Sequence, residues 1–180
     1  MRKSVTKITQ QLEQQLAAIP GLVNQLERKS SLSMRSIGTW LLETESVLKE
    51  LNMPEVSKFS VKRGELATFI PTGSSKKKEG LFLASSLLTQ AQDDLWACYQ
   101  KHQEKLELGV NLLQQLLTLI YQSGQFRYDP KDDFTQFIQQ IWQFCSQHEQ
   151  LKPISIQILT HLNKTDVLLL LGKHIELENL

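Results

Sequence analysis

The chain has 180 residues, 41% of them hydrophobic and 22% charged, with a formal net charge of +1. That suits one domain with enough apolar residues for a core. It excludes a helical membrane span, since the longest wholly apolar run is Val167 to Leu171 and a span takes about 18 such residues. The opening MRKSVTKITQQ lacks the apolar region of a secretory signal. Two cysteines without disulfide spacing suit a reducing compartment. A cytoplasmic location is therefore expected, with no membrane partner. The charge is uneven: residues 1–78 carry thirteen Lys/Arg against seven Asp/Glu, and residues 79–180 carry seven against twelve.

In chain order, Val5, Ile8, Leu12, Leu16 and Ile19 recur at helical spacing, which predicts a helix over 4–18. Pro20-Gly21 ends it, and Leu22, Val23 and Leu26 suit a short second piece. A third helix runs from Ser31 or Ser33 to Leu51, with Met34, Ile37, Leu41 and Leu48 on one face, and stops at Asn52-Met53-Pro54. Residues 59–80 lose the helical period and read as an irregular basic excursion, flexible from Ser74 to Glu79.

The longest helical pattern spans Gly80 to Ser123. One straight helix of that length would measure roughly 65 Å, against a diameter of about 40 Å for a compact chain of this size. A kink or break is expected between the polar patch Gln100–Lys105 and Gly109. Next, Asp129 before Pro130 reads as the start of a helix reaching about Gln150, with Phe137, Ile138, Ile141, Trp142, Cys145 and His148 facing inward. Pro153 opens a helix over 154–162, and Asn163 or Thr165 caps a last one to about Ile175. The expected fold is a single all-α domain, an antiparallel bundle of five to seven helices around one long central helix. Its divisions are basic N-terminal helices (1–58), the irregular segment (59–80) and an acidic helical core (81–180).

Three constellations carry chemistry. Cys98 with His102 and Cys145 with His148 are spaced i,i+4 and i,i+3, so each pair shares a helix face, and two facing pairs would make a tetrahedral zinc site. Because all four lie on apolar stripes, core packing is the stronger reading and no cofactor is expected. Lys58, Lys62, Arg63, Lys76, Lys77 and Lys78 could contact phosphates without sequence preference. No phosphate-loop order is present, and no aromatic interleaves to stack bases. Nor is there H-E-x-x-H or a bundle di-iron motif.

The third constellation is neutral. Around Gln136, Gln139, Gln140, Gln143 and Gln147 the outer face of one helix carries almost no charge, and Gln11 and Gln15 repeat this in the first helix. Surface helices ordinarily mix Lys and Glu, whereas interface cores are depleted in charge. The expected function is thus a non-catalytic adaptor or scaffold subunit of a cytoplasmic complex, with a protein partner or copies of itself on these faces. The alternative is a nucleic-acid-associated accessory subunit using the basic residues.

Overall fold

The computed structural model describes residues 3–73 and 75–180. They form eight α-helices: α1 (Val5–Ala17), α2 (Ile19–Glu27), α3 (Ser33–Glu50), α4 (Val56–Thr68), α5 (Lys76–Ser123), α6 (Phe134–Gln147), α7 (Lys152–His161) and α8 (Lys164–His174), with a closing 3₁₀ turn, Leu177–Asn179. There is no strand among the described residues. The all-α class and the long helix are as expected. Two compact units divide the chain, residues 8–101 and residues 1–7 with 102–180.

In the unit of residues 8–101, α1 to α4 and the first half of α5 bury Leu12, Ile37, Leu41, Leu48, Phe59, Leu87 and Leu95. The irregular excursion expected over 59–80 is shorter, because α4 continues to Thr68 and α5 begins at Lys76. Ser74 lies outside the described residues. The inward stripe of α4 is Phe59, Lys62 and Leu66, all buried. A lysine in its middle position hides the period: the aliphatic stem packs while the ammonium reaches a carboxylate. Helices α2 and α3 end in the same way. Lys29 and Asn52 adopt left-handed φ of 50° and 49°. Ser30 N–H then bonds Gln25 O at 3.1 Å, and Met53 N–H bonds Leu48 O at 2.9 Å. This closure satisfies carbonyls left open at a helix end.

In the unit of residues 1–7 and 102–180, the second half of α5 packs with α6, α7 and α8 around Leu113, Leu116, Ile141, Ile158, Leu162, Val167 and Leu171. Helix α6 starts later than expected. Its cap is Asp133, whose carboxylate accepts from Thr135 N–H at 2.7 Å and Gln136 N–H at 3.2 Å. Asp129 instead closes a turn, accepting from Lys131 N–H at 2.9 Å. The segment between lays Phe126 and Tyr128 on Phe134, Phe137 and Phe144, and those ring contacts accompany the delay of the helix until Asp133. Asn163 caps α8 as expected, accepting from Asp166 N–H at 2.8 Å.

The 48 residues of α5 run without interruption, about 72 Å at the usual rise. Where a break was expected, the helix stays helical and changes core: its last buried side chain in one cluster is Cys98, and its first in the other is Leu113. Gly109 is buried there for another reason. A Cβ on it would lie 2.5 Å from Leu162 Cγ, so the glycine admits a fully buried leucine from the end of α7.

Gly109→Ala should therefore lower stability by about 1–3 kcal/mol through overpacking, despite the better helix propensity of alanine. Gly64→Ala, in α4 with nothing within 4 Å of the added Cβ, should instead gain up to about 1 kcal/mol. Paired denaturant titrations check the opposite signs.

Candidate functional site

Three of the six basic residues form ion pairs within the fold. Lys58 and Lys62 each place Nζ 2.6 Å from Asp94, on Oδ1 and Oδ2 respectively, and Arg63 Nε lies 2.7 Å from Glu45 Oε2. Burial raises the Asp94 carboxyl, but the two ammonium hydrogen bonds outweigh it and hold the group below its ordinary value. Hydrogen bonding to Arg63 does the same for Glu45. Lys62 is itself buried, with Nζ 5.9 Å from the centre of the Phe59 ring. Of the six cations in the alternative phosphate reading, three tie α4 to α3 and α5. Lys76, Lys77 and Lys78 stay exposed in the first turn of α5.

The Cys/His pairs do not gather. Cys98 belongs to one hydrophobic core and Cys145 to the other, and no three His, Cys, Asp or Glu side chains cluster as a metal site among the described residues. Burial pushes the Cys98 thiol up to about 11 and the Cys145 thiol up to about 12, which opposes the thiolate that zinc or nucleophilic chemistry needs. His148 is half-buried and tilted on Phe144 at 5.0 Å, and His102 is half-buried on α5. Both cysteines lie in hydrophobic cores, and the two Cys/His pairs are not brought together.

The glutamines divide. Gln15 Oε1 accepts from Thr44 Oγ1 at 3.0 Å, and its backbone carbonyl accepts from Trp40 Nε1 at 3.1 Å, so it serves the unit of residues 8–101. Gln11 is half-buried, with Oε1 shielded from water. On α6, by contrast, Gln136, Gln139, Gln140, Gln143 and Gln147 are all exposed.

Two grooves border that face, both between α6 and α8. An apolar one of ≈ 430 Å³ is lined by Phe134, Ile138, Leu168 and Leu169, with Thr135, Gln139, Thr165 and Gly172 completing it. A polar one of ≈ 270 Å³ is lined by Gln139, Trp142, Gln143, Ser146, Gln147 and Lys164. Gln139 belongs to both. At one end Gly172 packs beside Phe134, where a Cβ would lie 3.4 Å from Phe134 Cε1. Phe134 of α6 thus meets the end of α8, and Gln147 meets its beginning, so the two helices run antiparallel.

The groove residues from α8 were not anticipated, since pairing of α6 with α8 is a tertiary fact. One signal was present in the sequence. No Asp, Glu, Lys or Arg occurs from 108 to 126, from 134 to 148, or from 153 to 163. In the same unit Leu108, Leu119, Ile156, Leu159 and Leu169 are exposed, so the neutrality extends beyond the α6 face. No known protein family, curated protein or solved structure matches the chain.

The thiols give a direct check on this placement. In native protein both should resist a disulfide-exchange reagent at neutral pH, and both should titrate on unfolding in guanidinium. Rapid native reaction of either would contradict the core assignment.

Proposed function

We propose that this chain is a non-catalytic interaction subunit whose α6 face seats a protein partner. The observation that carries this reading is a solvent-exposed run of five glutamines on a helix with no charged residue from 134 to 147, bordered by two grooves between α6 and α8. Burying a charge at an interface costs several kcal/mol unless it is paired, and an amide side chain can donate and accept with any backbone it meets. A neutral, amide-covered face is therefore easy to desolvate and poorly suited to staying alone in water. Neighbouring exposed leucines add apolar area at little further cost.

Charge introduced at Gln139 and Gln143 tests it. The double substitution Gln139→Glu with Gln143→Glu should keep helicity and melting temperature, since both sites are exposed and Glu is a good helix former. It should also remove the stoichiometric partners that wild-type protein captures in its native host in the presence of nuclease. Light scattering of both proteins distinguishes a partner chain from a second copy. Full retention of partners by the double variant contradicts the reading.

A further inference from the structure

The trough between α6 and α8 has a chemistry more specific than neutrality. Its lining carries one charged residue, Lys164, and no acid. Lys164 is exposed, in the first turn of α8, and forms no ion pair among the described residues. Trp142 is 96% buried and lines the polar groove. Its indole N–H has no acceptor among the described residues, unlike that of Trp40, which bonds Gln15 O at 3.1 Å. Ser146 Oγ is already turned away to Trp142 O at 2.8 Å. The polar end therefore offers donors to a ligand, an ammonium and an indole N–H, and its lining holds no carboxylate. The other end is lined by two aromatic or branched side chains of α6 and two leucines of α8.

We infer that this trough binds a short acidic, apolar segment of the protein partner, with a carboxylate held by Lys164 and Trp142 and apolar side chains between Phe134, Ile138, Leu168 and Leu169. The inference rests on the reading that the α6 face seats a partner, and names that partner's chemistry. A carboxylate can accept from an ammonium and from an indole N–H and is a stronger acceptor than a neutral oxygen. The amides of Gln139, Gln143 and Gln147 match the alternating donors and acceptors of a peptide backbone. Nucleic acid fits poorly, because its affinity scales with the number of phosphates neutralised and the trough holds one cation. A sugar would need an exposed aromatic face to stack on, whereas Trp142 is 4% exposed.

The test uses the full chain and a phage-displayed random dodecapeptide library. Enriched sequences should contain Asp or Glu within a few residues of at least two large apolar residues. A synthetic copy of the most enriched peptide should move the Trp142 indole ¹H–¹⁵N resonance. It should bind at least ten-fold more weakly to Lys164→Glu and to Leu169→Glu. Lys164→Glu places an acid in the first turn of α8, where the helix dipole favours it, so loss of binding there is not loss of fold. Leu169 is 57% exposed, and melting curves of both variants control for stability. No enrichment, enrichment of basic or neutral sequences, an unmoved indole resonance, or Lys164→Glu binding as wild type would each overturn the inference. If that happens while Gln139→Glu with Gln143→Glu still releases the native partner, only the peptide chemistry falls. If the double variant also keeps its partner, the parent reading falls with it.

Discussion

The Asp166 carboxylate is 1% exposed, and a charge so far from water is tolerable only if donors surround it. They come from the opposite end of the sequence. Oδ1 accepts from Ser4 Oγ at 2.6 Å and from Thr6 Oγ1, and Oδ2 accepts from Val5 N–H at 2.7 Å. Ser4 Oγ in turn accepts from Lys7 N–H at 3.1 Å, capping α1. Asp166 is the third residue of α8, and its own N–H is held by the cap, Asn163. One carboxylate thereby joins the N-terminal ends of two helices and favourably meets the positive pole of each. Within that unit it fixes the turn that presents Lys164 and Thr165 to the grooves.

The long helix solves a different problem. A helix of 48 residues exceeds the width of one small core, and α5 contributes buried residues to two clusters. The two units also stabilise themselves by different means. In the unit of residues 8–101, charged side chains are folded into the structure: Lys62 completes a core stripe and shares Asp94 with Lys58. In the other unit, three long stretches carry no Asp, Glu, Lys or Arg, and the buried charged side chain among the described residues is Asp166. The unit of residues 8–101 thus ties Lys58, Lys62 and Arg63 into its own fold, while the other unit has a neutral α6 face that is cheap to desolvate.

Much of this was legible in the residues. The class, the first three helices, the Asn163 cap and the neutral face of α6 follow from apolar period, punctuation and composition. Three things did not follow, each for a physical reason. Helix α4 was hidden because a lysine occupies a core position in its stripe. The start of α6 was displaced from Asp129-Pro130 to Asp133, and the aromatic contacts of Phe126 and Tyr128 that accompany the delay are tertiary. Gly109 read as a weak point in α5, whereas its role is the close approach of Leu162, which only tertiary structure reveals. The grooves share that limit: α6 supplies half of each, and nothing local says which helix supplies the rest.

The central claim is that Asp166 holds the first turn of α8, and with it the groove. Amide hydrogen exchange of wild type, Asp166→Asn and Asp166→Ala, alongside denaturant unfolding, tests it most directly. The account predicts a loss of roughly 2–4 kcal/mol for Asp166→Ala, since a charged hydrogen-bonded centre is removed and its donors are left buried. Asn should fall between. Protection should drop first at the starts of α1 and α8, before the core of α7. Unchanged stability and unchanged protection at Val5 and Val167 in Asp166→Ala would contradict the account.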